Sequence, residues 1–187
     1  DRFEAIRPKV SKPKLKVALF SGCVQDFVYP EQAEAAVKLL ARHNVEVLFP
    51  MDQSCCGLPV QMMGERDASR SVAAQNVTAF DPAGCDYILT LCASCASHLK
   101  HGYPDILAGD AGLAVKVRQF ADRVIDFSSF VHDVLKVTPE EFRADGRKTT
   151  YHAPCHLCRG LNVTQAPREL MATAGLDYAP AEEEDVC

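Results

Sequence analysis

Short apolar runs alternate with stretches of helical periodicity along this chain. Lys16-Val17-Ala18-Leu19-Phe20 is a compact apolar run closed by Ser21-Gly22 and reads as a buried strand. After Pro30, a favourable first-turn residue, Glu31 to His43 places Ala33, Ala36, Val37 and Leu40 at helical spacing. Val45 to Phe49 reads as a second strand stopped by Pro50, Arg66 to Phe80 as a helix ending before Pro82, and Tyr87 to Leu91 as a third strand. A helical region is expected around Ser128 to Lys136, a fourth strand at Lys148 to His152, and a helix from Arg168 to Ala174 with Gly175 as its C′ residue. Strand–helix–strand alternation of this kind predicts an α/β fold with a parallel sheet built from βαβ units.

Composition narrows the function classes. With 187 residues, 48% hydrophobic and 24% charged, the chain can bury a core as one compact domain or two small ones. Twenty basic against 25 acidic residues leave a net charge of −5, which argues against nucleic acid as the main partner. The basic cluster Lys9 to Lys16 contains two prolines and reads as a solvated arm, within an N-terminal arm of residues 1–14. No apolar run approaches the roughly 20 residues of a membrane-spanning helix, and the polar start DRFEAIRPKVSKPK has no signal-peptide character. The expectation is therefore a cytoplasmic chain, with peripheral membrane association left open. Since it starts without methionine, it is expected to be a segment of something longer.

Nine cysteines without an export signal point to metal binding or catalysis rather than a disulfide framework. Cys23 follows the first expected strand, Cys55 and Cys56 the second, Cys92 and Cys95 the third, and Cys155 the fourth. In an open α/β sheet the ligand crevice lies beyond the carboxyl ends of the strands, so these thiols are expected at one edge. Five of them, Cys23, Cys55, Cys56, Cys92 and Cys95, are the candidate donors of one site. Thiolate-rich sites favour iron–sulfur clusters or zinc over hard cations. Adjacent cysteines point in different directions, which suits a polynuclear group better than a single tetrahedral ion. Gly57 leaves room beside such a group and Pro59 sets the exit of the turn. A buried pair of small apolar side chains is the alternative role for Cys55 and Cys56.

The chain also repeats itself. Cys23 to Cys55 is a step of 32 residues, as is Cys155 to Cys187, and an offset of 132 lays Val17–Phe20 over Thr149–His152. On this overlay the second copy ends at Cys187, inside its own double-cysteine motif.

The ordered set Cys23, Cys55-Cys56-Gly57 and Cys92-Ala93-Ser94-Cys95 resembles the cysteine-rich CCG domain. That domain occurs, usually in duplicate, in heterodisulfide reductase subunits and in iron–sulfur subunits of glycolate, glycerol-3-phosphate and lactate oxidising systems. The stretch VALFSGCVQDFVYPEQAEAAVKLLARHNVEVLFPMDQSCCGLP is most similar to the lactate-utilisation type, and YHAPCHLCRGLNVTQAPREL resembles the opening of a second repeat. The resemblance covers Leu15 to Cys187. It implies a first repeat over 15–147, a truncated second repeat over 148–187, and a [4Fe-4S] cluster, noncubane in heterodisulfide reductase, on the five cysteines. Cys155 and Cys187 would form an incomplete second site that is metal-free or holds an opportunistic zinc. Aerobic preparations are expected to lack the cluster, because exposed iron–sulfur centres oxidise.

The resemblance further implies an electron-transfer subunit rather than a catalytic one. It would relay electrons from an oxidising subunit to a quinone or other acceptor, alongside other subunits that include a ferredoxin-like iron–sulfur domain. The alternatives are disulfide reduction at the cluster, as in heterodisulfide reductase, and a structural zinc module. Cys85 is expected in the core. Cys158 is either half of a C-x-x-C pair with Cys155 or an incidental thiol. His152 and His156 would tune a cluster, ligate zinc or satisfy local backbone. His98 and His101 are expected to face solvent, Glu182–Asp185 to form a solvated loop, and Ala181–Cys187 to be poorly anchored.

Overall fold

The computed structural model describes residues 10–144 and 146–186; the first nine residues of the expected arm and Cys187 lie outside the described residues. The chain divides into two compact units, one ending at Ile125 and one starting at Asp126. Each is described by itself.

The first unit is built on a sheet with strand order β2-β1-β3-β4. Strand β1, Leu15–Phe20, is buried from Val17 to Phe20 on both faces, as a central strand of a parallel sheet requires. It pairs in parallel with β2, Val45–Leu48, through Val17↔Val47 and its neighbours, and with β3, Tyr87–Thr90, through Val17↔Tyr87 onward. Strand β2 alternates buried and half-buried residues, consistent with its place at the edge. Helix α1 is Cys23–Phe27 and helix α2 is Pro30–Arg42, which starts on Pro30 and buries Ala36, Val37 and Leu40. After β2 come α3, Leu58–Met62, and α4, Arg66–Ala79. These elements match the expected α/β architecture.

Beyond β3 the chain runs through α5, Ala93–Ser97, a wide π turn at His98–Gly102, and α6, Tyr103–Ile106. Pro104 lacks an N–H and its ring collides with the carbonyl four residues back in a regular helix, so a wider turn just before it absorbs the mismatch. Helix α7, Ala114–Arg123, leads directly into β4, Val124–Asp126. A layer of rings binds helices to sheet. Phe20 and Phe80 lie 5.8 Å apart, Phe80 meets Phe120 edge-on at 5.7 Å, and Phe120 stacks on Tyr103 at 5.8 Å.

Four expectations are corrected here. The fourth strand of the main sheet is Val124–Asp126, not Lys148–His152. Only Lys148–Thr149 is extended; it forms β5 and pairs in parallel with β6, Asp177–Tyr178, in a separate two-stranded sheet. Between them lie a π turn, His156–Gly160, and α9, Gln165–Thr173. The helix expected at Ser128–Lys136 is one turn, α8, Phe127–Ser129, capped by Asp126 and followed by a π turn that Lys136 ends at φ 54°. The repeat is one residue out of register: Lys16 faces Glu46, but Thr149 rather than Lys148 faces Tyr178.

The segment after Ala181 is also anchored rather than loose. Ala153 N–H donates to the Glu184 carbonyl at 2.9 Å. The Glu184 side chain, 7% exposed, accepts from Arg168 Nε–H at 2.6 Å and from the Tyr178 hydroxyl. Arg168 also pairs with Asp185 at 2.7 Å, so this acidic run is a partly buried ion-pair site and not a solvated loop.

Candidate metal centre

In a sheet of order 2-1-3-4 the connections leave β1 toward opposite sides, which opens a crevice between the carboxyl ends of β1 and β3. The loops after β1, β2 and β3 carry Cys23, the Cys55-Cys56 pair and the Cys92/Cys95 pair to that edge. Two glycines make the loops possible. Gly22 adopts φ 71°, and a Cβ there would lie 3.4 Å from Cys95 Sγ. Gly57 adopts φ 80°, and a Cβ there would sit 2.9 Å from Val72 on α4, closer than real side chains approach.

The five thiols form one line of neighbours. Cys23 interacts with Cys55, Cys55 adjoins Cys56, and Cys56 and Cys92 each interact with Cys95. The line starts at the surface with exposed Cys23, passes half-buried Cys55 to buried Cys56 and Cys95, and ends at half-buried Cys92. Its electrostatics are uneven. Cys92 is lowered to about 5, first by the Cys95 thiol and then by the Ser94 hydroxyl, whose oxygen lies 3.1 Å from Cys92 Sγ. Cys56 is lowered to about 7, again mainly through Cys95. Cys95 is the shared donor, so its own proton is held far more tightly than in a free thiol. Burial raises Cys55.

Soft thiol donors in graded protonation states, gathered at one concave edge, suit an iron–sulfur group. Among the described residues, no three or more His, Cys, Asp or Glu side chains surround a point that would hold a single metal ion. A cleft of about 410 Å³ opens over one end of the line, walled by Cys23, Cys55, Phe27, Phe49, Met51 and Gln53 among others.

Residues 17–100 match the family described as the cysteine-rich domain, CCG. Lactate utilization protein A of Geobacillus sp. strain WCH70 is 35% identical over 167 residues, 89% of this chain and 68% of that protein. The protein of the same name from Geobacillus kaustophilus is 37% identical over 167 residues, with the same two shares. The chain belongs to the CCG cysteine-rich domain family. An uncharacterized iron–sulfur protein of Methanococcus maripaludis is 35% identical over 162 residues, and there the chain spans only 29% of the longer protein. The CCG segment, 17–100, contains Cys23, Cys55, Cys56, Cys92 and Cys95 and excludes Cys155 and Cys187.

The remaining candidates have surroundings of their own. Cys85 is buried before β3, as expected of a core thiol. Cys155 is disulfide-bonded, and Cys158 is free and half-buried, its thiol donating weakly to the Cys155 carbonyl at 3.9 Å. His152 and His156 are exposed, as is His101. His98 is not: it is 5% exposed and its ring meets Tyr103 edge-on at 5.3 Å, because the π turn brings residue 103 back over it. Among the described residues, no helix is long and apolar enough to cross a membrane. Sequence reasoning passed over Gly22, Ser94, Asn76 and Tyr103. The first two adjoin cysteines and carry a local signal; the last two carry none.

Proposed function

We propose that this chain is the iron–sulfur part of a lactate- or glycolate-oxidising complex, relaying electrons from a separate oxidising subunit to a quinone or other acceptor. The observation that carries the reading is the convergence of thiols from three separate loops at the crevice between β1 and β3. The names of the bacterial relatives supply the metabolic setting, and the archaeal relative's name supplies the cofactor class. Cys23, Cys55, Cys56, Cys92 and Cys95 would hold a [4Fe-4S] group, noncubane where all five bind. When bound, that group supplies one-electron exchange. The chain's own part is to offer donors that reach from the exposed Cys23 to the buried Cys95, and to hold Cys92 and Cys56 ready as thiolates near neutral pH.

A cytoplasmic site of action and partners that include a ferredoxin-like iron–sulfur domain complete the proposal. Seven free cysteines against one disulfide-bonded, Cys155, among the described residues support a reducing compartment. Cys155, disulfide-bonded in this structure, would serve with Cys187 as an incomplete second site only once reduced.

Anaerobic reconstitution with iron and sulfide, followed by quantification of both, tests the reading on the chain and on Cys55→Ser and Cys155→Ser. Iron loss confined to Cys55→Ser supports it. No iron uptake by the unsubstituted chain, or equal loss in both variants, sinks it.

A second reading is favoured by the cleft over Cys23 and Cys55, whose volume lies in the range of small-molecule sites. There a disulfide would take two electrons from a reduced iron–sulfur partner and two protons from solvent, leaving as two thiols. Disulfide-dependent oxidation of the reduced, reconstituted chain would separate this reading from a pure relay.

A further inference from the structure

The double-cysteine loop is held from inside the core by two side chains that are fully buried, Asn76 on α4 and Tyr103 at the start of α6. Ser54 N–H donates to Asn76 Oδ1 at 2.8 Å. Asn76 Nδ2 donates to the Cys55 carbonyl at 3.0 Å and to the Tyr103 hydroxyl at 2.8 Å. The Tyr103 hydroxyl in turn donates to the Cys56 carbonyl at 2.9 Å. The polarity of this network admits one arrangement. A backbone N–H can only donate, so the amide oxygen must face Ser54. The Cys55 carbonyl can only accept, so the amide nitrogen must face it. Tyr103 then receives the second amide hydrogen and has its own hydrogen free for Cys56.

Every polar atom of both side chains is thereby used, which is what complete burial demands. The network also touches three successive residues of Ser54-Cys55-Cys56, while Gly57 closes against Val72 on the same helix as Asn76. Tyr103 is itself fixed by stacking on Phe120 and by His98.

The geometry points to Asn76 and Tyr103 as a positioning pair that locks the two cysteine carbonyls and so sets the divergent directions of the adjacent thiols toward the iron–sulfur site. The inference rests on the proposed function for the cluster but concerns residues outside its donor set. Hydrogen-bonding partners of ligand residues change metal retention on the order of 10- to 100-fold when removed.

The test uses Tyr103→Phe and Asn76→Leu, which keep side-chain bulk, with Val37→Ala as a core variant whose side chain lies on α2. After anaerobic reconstitution, Tyr103→Phe should lose iron to a chelator on the order of 10-fold faster than the unsubstituted chain. Its electron paramagnetic resonance signal and midpoint potential should also move. Val37→Ala should lower Tm by a similar or larger amount and leave those three readouts in place. If Val37→Ala reproduces the chelator and spectral changes, the pair is only structural and the inference is overturned.

Failure of iron uptake by the unsubstituted chain would sink the proposed function instead, and the metal-free protein then decides the pair's role. Maleimide labelling followed by peptide mapping should show Cys55 and Cys56 reacting at unequal rates, because the two thiols differ in exposure and in thiolate character. That contrast should collapse in Tyr103→Phe and Asn76→Leu. A contrast unchanged from the parent overturns the inference.

Discussion

Gly22 and Cys95 are neighbours across the crevice: a Cβ on Gly22 would stand 3.4 Å from the Cys95 sulfur. That distance is ordinary contact, so space alone does not demand glycine. The backbone does, because Gly22 sits at φ 71° and ψ 157°, a region essentially closed to other residues. Gly22→Ala should destabilise the fold by about 1–3 kcal/mol and displace Cys23 from Cys55. Urea unfolding gives the first quantity, and reduced iron uptake reports the second.

Cys85 and Cys95 are both buried thiols, yet they should behave differently. Cys95 interacts with two other cysteines, whereas burial dominates the environment of Cys85, with Arg123 and Asp81 nearby. Cys85→Ala is expected to keep full iron uptake and Cys95→Ala to reduce it, as iron-to-protein ratios after reconstitution will show.

Arg168 is the cation that balances Glu184 within the second unit. Its guanidinium also lies 5.5 Å from the Tyr151 ring centre. Arg168→Leu removes the charged partner from a carboxylate that is only 7% exposed and should cost about 2 kcal/mol. Arg159→Ala, on an exposed side chain, should change stability by less than about 0.5 kcal/mol. Comparable losses in chemical denaturation would show that the ion-pair site contributes nothing special.

His132 sits between two carboxylates, with Nδ1 2.6 Å from Asp133 and Nε2 2.6 Å from Glu169. Asp133 first, and Glu169 with it, raises its pKa above the ordinary histidine value. A raised folded-state value means the contribution to stability is fully present below the unfolded-state pKa of about 6.5, and is lost as pH rises through the higher folded-state value. Because the ring is partly exposed, solvent screening holds that contribution to about 0.5 kcal/mol. Glu169→Gln should move the His132 titration, followed by NMR, back toward the ordinary value; an unmoved titration would show that Glu169 is not felt.

Strands β1, β2 and β3 and helices α2 and α4 were legible because each is bounded by Gly, Pro or a change of period. Strand β4 was hidden because it follows α7 without a break and is only three residues long. The expected strand at Lys148–His152 failed after two residues, since β6 offers a partner only to Lys148 and Thr149. His98 looked solvent-facing by type, and only the π turn ahead of Pro104 made it a core residue.

By itself the sequence determined the α/β architecture and singled out the five cysteines as candidate donors, because thiol chemistry and strand-end placement are written in local residue types. The tertiary structure alone decided which side chains hold that set. Asn76 and Tyr103 lie 21 and 47 residues from the carbonyls they bind, and Glu184 lies 16 residues from Arg168. Such partners leave no periodic or adjacent signal. Each becomes a partner only when folding removes water from a polar group and another polar atom must replace it.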